Sequence, residues 1–182
     1  MLLLMASVAR GDVTYPPQSI YQLEAALTSQ AGEQQGLDVY AGHPVLLTMF
    51  YGSCPAACPL LIDTLFAVER AASPAQRERM RVLMISIDPQ RDTPQLLQDL
   101  AKTRHIDLSR WTLARADAAT VRRIAAVLNV QYRQLPNGEF NHTSVITLLS
   151  PSGEILAQSY ALGKADSALL DAETKSHQLS DR

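Results

Sequence analysis

The run Val82–Ile87, VLMISI, is apolar at every position but one and rich in β-branched side chains. A segment of that length and composition reads as a strand buried on both faces, the situation in a parallel sheet covered by helices. Val45–Tyr51, VLLTMFY, has the same character. After each run, apolar residues recur at helical spacing: Leu61, Leu65 and Val68 with Ile62 alongside, then Leu96, Leu97 and Leu100. Val121, Ile124, Ala125 and Leu128 form a third such face. Strands alternating with amphipathic helices specify an α/β layer fold, parallel at its centre.

Local signals place the ends of these elements. Thr93-Pro94 opens one helix, with Thr93 as cap and Pro94 in the first position, and Asp117 caps the next. Trp111–Ala114 is a short strand. Asn137-Gly138 marks the tip of a small hairpin within Gln134–Phe140. Val145–Leu149 and Glu154–Tyr160 are strands joined by the turn Ser150-Pro151-Ser152-Gly153, so they close the sheet antiparallel. Residues 10–35 form a polar lead-in containing Pro16-Pro17 and a short helical or strand piece around Ile20–Leu27. Ala165–Thr174 is a last helix, and residues 173–182 form a polar tail. The order β-α-β-α-β-α-β-β-α is thioredoxin-like: a mixed central sheet flanked by helices, with an extra helix and a β-hairpin insertion. The chain is expected to form one domain over residues 15–172.

Charge excludes some functions. Sixteen basic and eighteen acidic residues are mixed along the chain and leave a net charge of −2, so nucleic acid is not an expected partner. At 47% hydrophobic the chain fills a core without disulfide staples, and it has only two cysteines. Met1–Ala6 is apolar, and Ser7-Val8-Ala9 has the small-x-small form of a signal-cleavage site. Residues 1–14 therefore read as the remnant of a signal or anchor segment, and the location as extracytoplasmic. No stretch reaches the ~18 apolar residues of a membrane span.

The two cysteines stand together in Phe50–Ile62, FYGSCPAACPLLI, directly after a strand and before a helix. Ligands collect at the carboxyl ends of parallel strands in such sheets. Asp88, in IDPQRDTP, also follows a strand, and His142 precedes one that runs the other way. Cys54, Cys58, Asp88 and His142 are thus expected at one sheet edge. Pro55 and Pro59 interrupt regular helix, so the helix is expected to begin at Pro59 with Cys58 at its cap, where the helix N-terminus favours a thiolate. Three-residue separation keeps the cysteines within the ~4.4–6.8 Å Cα separation that a disulfide tolerates. Two thiolates and one imidazole are one donor short of structural zinc and suit copper.

CPAACP, DPQRDTP and the histidine of FNHTSVITLLSPSG, in this order and spacing, resemble the Sco/SenC family. These are copper-binding, thioredoxin-like proteins that assist assembly of the dinuclear copper site of cytochrome c oxidase. The resemblance implies copper ligation by Cys54, Cys58 and His142, with Asp88 and Asp92 in an acidic motif near the site. It further implies a copper-site subunit or other cuproprotein as acceptor, and a thiol reductant or upstream copper donor as further partners. Asn141 stands where the family usually has Asp. From the residues alone, Asp92 reads as a structural cap of the Pro94 helix. His43 belongs at the opposite sheet edge, His105 and His177 are solvated, and Trp111 packs in the core or at its edge.

Two readings remain open. The first is a copper metallochaperone rather than an enzyme. The second is a thiol–disulfide oxidoreductase that uses Cys54 and Cys58 on a cuproprotein's cysteines; the CxxxC spacing and the His in NHTSV count against general dithiol exchange. A peroxidase of the P-x-x-x-T/S-x-x-C type fits neither cysteine, because Tyr51 and Pro55 occupy the hydroxyl position.

Overall fold

The computed structural model describes residues 14–54 and 57–180; the apolar start and the Ser7-Val8-Ala9 motif lie outside them. Strands β1 (Leu27–Ser29), β2 (Gln34–Gln35), β3 (Val45–Phe50), β4 (Arg81–Ser86) and β5 (Trp111–Arg115) come first. They share one seven-stranded sheet with the later β8 (Ile146–Leu149) and β9 (Ile155–Ser159), in the order β2-β1-β5-β4-β3-β8-β9. A separate two-stranded sheet joins β6 (Tyr132–Gln134) to β7 (Phe140–His142).

The apolar runs fill the centre. All six residues of β3 and five of the six in β4 are buried, and the two strands pair in parallel from Val45 opposite Arg81 to Phe50 opposite Ser86. β5 continues the parallel set on β4, whereas β8 lies antiparallel on β3. Inside the sheet the Thr48 hydroxyl donates to the Val145 carbonyl at 2.7 Å, which satisfies a polar group that the apolar run carries into the core.

Among the described residues five α-helices accompany the sheet: α1 (Ala57–Ala71), α2 (Pro74–Arg79), α3 (Pro94–Thr103), α4 (Ala118–Val127) and α5 (Ser167–Ser180). Leu61, Ile62, Leu65 and Val68 of α1 are buried, as their spacing predicts. Thr93 caps α3 by accepting the Leu96 N–H, and Asp117 caps α4 by accepting the N–H groups of Ala119 and Thr120. Trp111 is buried with its ring 5.0 Å from that of Phe66, a core packing role. His43 lies just before β3, its ring nitrogen 3.1 Å from the Arg79 carbonyl, at the edge away from the cysteines.

Among the helices the structure departs from the sequence expectation in three places. Helix α1 begins at Ala57, so Cys58 sits in its first turn and not at its cap. Pro59 is tolerated there because the first N–H groups of a helix lack an intrahelical acceptor in any case. The short helical or strand piece expected around Ile20–Leu27 is present as a 3-10 turn, Ile20–Gln22, with β1 starting at Leu27. Pro74–Arg79 forms α2, closed by a reciprocal Ser73–Gln76 capping box. Helix α5 runs on to Ser180 through the segment read as tail. Its anchor is polar: buried Glu173 pairs with Arg79 at 2.9 Å and accepts from Gln76 at 2.9 Å. An apolar period does not reveal such a contact.

Candidate metal centre

The parallel register of β3 and β4 brings their carboxyl ends side by side, and the antiparallel β8 begins at the same edge. Cys54 follows β3 in a turn closed by its own N–H on the Tyr51 carbonyl, 3.2 Å. In the first turn of α1 the Cys58 N–H donates to Cys54 Sγ at 3.4 Å. Cys54 Sγ thus accepts one of the unpaired donors of the helix N-terminus. Cys58 is buried, and its own Sγ accepts the Tyr51 N–H at 3.4 Å.

His142 ends β7. Its Nδ1 lies 3.1 Å from the Thr143 carbonyl oxygen. A carbonyl only accepts, so Nδ1 carries the proton and Nε2 presents a bare lone pair. Nε2 is buried and has no hydrogen-bond partner. The two sulfurs and a ring nitrogen of His142 lie within 4.8 Å of one another, the one such donor cluster among the described residues.

Burial pushes the Cys58 thiol far above its usual range, with Cys54 and Asp92 adding repulsion and the Tyr51 N–H opposing. Burial also holds His142 below the ordinary imidazole value, against the pull of the Thr143 carbonyl. The imidazole is therefore neutral near pH 7, the form that ligates metal.

Asp88 and Asp92 do not join the donor cluster. Buried Asp88 receives Arg91 through its carboxylate. Asp92 is buried as well, but it caps nothing; Thr93 takes that role. Its carboxylate accepts the Gly52 N–H at 2.9 Å and the Ser86 hydroxyl, tying the loop before Cys54 to the end of β4. A side chain at position 52 has no room, since a Cβ there would stand 2.7 Å from the Asp92 carboxylate.

Sequence reasoning passed over Tyr51 as core. It is buried, yet its ring stands edge-on to His142 at 5.8 Å and 5.3 Å from Phe140. Its hydroxyl donates to the Phe140 carbonyl at 3.4 Å, and its side chain hydrogen-bonds Cys54. The signal was a phenol at the end of an apolar strand, three residues before a cysteine.

The family model described as SCO1/SenC matches residues 15–175. The chain belongs to the SCO1/SenC family. A human relative, described as "Protein SCO1 homolog, mitochondrial", is 28% identical over 137 residues. The match covers 72% of this chain and 44% of that protein, so the chain spans less than half of its relative's length. Among solved structures, Arabidopsis thaliana ScoI, crystallised with copper bound, superposes with a TM-score of 0.72 at 20% identity. That match covers 85% of this chain and 96% of the other. BsSco, described as a member of the Sco family of cytochrome c oxidase assembly proteins, gives 0.68 at 19% identity, over 88% and 94% of the two chains. The SCO1/SenC fold is thus shared from the polar lead-in to α5.

Proposed function

We propose that this SCO1/SenC protein is a copper metallochaperone that holds one copper ion as cargo between Cys54, Cys58 and His142. The observation that carries the proposal is the buried, unpartnered Nε2 of His142 in a cluster with two thiols. A buried acceptor left unpaired costs about 1–3 kcal/mol, so a position of this kind calls for an occupant. Bonds of about 2.3 Å to sulfur place two donors of a shared ion at most about 4.6 Å apart, and the observed donors lie within a few tenths of an ångström of that reach. Two soft sulfurs with an imidazole match copper in preference to the oxygen-seeking cations. The copper in the Arabidopsis relative supports the same reading.

The acceptor in this reading is the copper-site subunit of cytochrome c oxidase or a related cuproprotein, in line with the assembly role named for BsSco. The protein would act outside the cytoplasm, as the Ser7-Val8-Ala9 motif suggests. Release is feasible because this chain supplies only three donors, of which Cys54 is part-exposed and open to an acceptor ligand.

The test is an anaerobic Cu(I) titration of the reduced protein against a coloured chelator, beside Cys54→Ser. Wild type should hold one copper and the variant should lose it. A folded, reduced wild type that takes none refutes the proposal.

One observation supports thiol–disulfide exchange as a second activity. Cys54 Sγ accepts the Cys58 N–H at the start of α1, a setting that favours an attacking thiolate. Metal delivery requires reduced acceptor thiols, so the two activities are compatible in one protein. A measured rate of disulfide reduction on an oxidised copper-site peptide, lost in Cys54→Ser, would establish it.

A further inference from the structure

His142 is delivered by a weak element. β6 and β7 have three residues each and pair only with one another, outside the seven-stranded sheet. An isolated hairpin of this kind is marginal in water. Its placement against Cys54 and Cys58 must therefore come from contacts beyond its own ladder. Tyr51 supplies one set, through its ring on Phe140 and its hydroxyl on the Phe140 carbonyl.

The DPQRD loop supplies the other. Asp88 is 4% exposed, and its carboxylate accepts from Arg91 Nε. The other arm of that guanidinium donates to the Gly138 carbonyl at the hairpin tip. The Arg91 guanidinium carbon also stands 5.9 Å from the Phe140 ring centroid. Gly138 has a φ of +83°, so the carbonyl that Arg91 grips lies in a turn that glycine permits. A single side chain, aimed by a buried carboxylate, thus reaches both the turn and the middle of the element that ends in His142.

We propose that Arg91, aimed by Asp88, is a positioning residue that latches the β6–β7 hairpin and sets whether His142 stands with the two sulfurs. With the latch closed the centre has three donors; with it open, the two thiols alone remain. Opening the latch would lower the number of donors holding the cargo without touching either cysteine. The consequence for copper rests on the copper proposal above, but the latch itself does not.

The test uses Arg91→Met, which keeps most of the aliphatic stem, and Asp88→Asn, which removes the aiming charge. The Arg91 side chain is 44% exposed, so its loss opens no core. In the metal-free proteins, exchange of the Leu135 and Thr143 amides, which bond across the hairpin, should be about tenfold faster or more, the scale of one charge-assisted hydrogen bond. Amides of β3 and β4 should exchange as in wild type. With Cu(II) added, the variants should lose the nitrogen hyperfine signal of His142 and bind roughly tenfold to a hundredfold more weakly. The Cys54–Cys58 midpoint potential should stay at its wild-type value. Unchanged exchange at Leu135 and Thr143 in both variants overturns the latch. If wild type itself shows no copper nitrogen signal, the copper proposal fails, and the exchange data still decide the latch.

Discussion

Replacing Asp92 by Ala removes the acceptor that joins the loop before Cys54 to β4. Two donors lose it. The Ser86 hydroxyl is fully buried, and stranding it costs about 1–3 kcal/mol. Gly52 is exposed, so its N–H regains water and the loss is about 0.5–1.5 kcal/mol at most. Against both stands the relief of a carboxylate held above its ordinary value of 3.8 chiefly by burial. We expect a net loss of about 2 kcal/mol, a fall in Tm of about 4–8 °C for a chain of this length. The buried Trp111 is the only tryptophan and reports the unfolding by fluorescence. Asp92→Asn separates charge from hydrogen bonding, because it keeps one acceptor oxygen. A carboxyl raised in the folded state binds more protons there than in the unfolded chain, so its contribution is full below 3.8 and declines as pH rises through the folded value. The stability advantage of wild type over Asp92→Asn should therefore shrink with rising pH. A gap that widens instead would mean that the site stabilises the anion, and the reasoning from burial would be wrong.

His142→Ala should weaken copper binding strongly while Cys54 and Cys58 still form a disulfide; a chelator competition and a thiol assay read the two effects, and wild-type copper affinity in the variant would remove His142 from the ligand set. Copper uptake should release a proton from Cys58, whose thiol is held protonated by burial, so apparent affinity should rise with pH across the neutral range. A pH-independent affinity would show that Cys58 is not a ligand. Arg79→Ala leaves Glu173 buried with Gln76 but without its cation and should destabilise the protein by about 3 kcal/mol in chemical denaturation. A loss below about 0.5 kcal/mol, the scale of an exposed pair, would mean that α5 is held by other contacts.

The parallel core was legible because β3 and β4 are buried on both faces and say so residue by residue. Cys54 and His142 were legible because one follows β3 and the other precedes β8, and the antiparallel β3–β8 pairing sets those ends at one edge, with Cys58 close behind Cys54 in α1; that His142 stands in a separate β6–β7 hairpin was not. What the sequence concealed was polar and tertiary. Asp92 was read as a cap because Pro94 follows so closely, but its partners are Gly52 and Ser86, reached only once β3 and β4 pair. Arg91 gave no local sign of its reach to Gly138, far along the chain. Helix α5 seemed to end where its apolar period faded, because Glu173 buries charge against α2. The start of α1 before Pro59 follows from helix-end chemistry, which tolerates proline where no hydrogen bond is owed.

The donors of the centre come from distant parts of the chain: α2, β4, α3, β5 and α4 all lie between Cys58 and His142. A partly made or unfolded chain offers two sulfurs with no imidazole beside them. The complete donor set is therefore a property of the finished fold, sheet and hairpin together, and a metal bound by all three donors would favour the folded state by mass action. A chain that misfolds beyond β3 presents only an incomplete donor set.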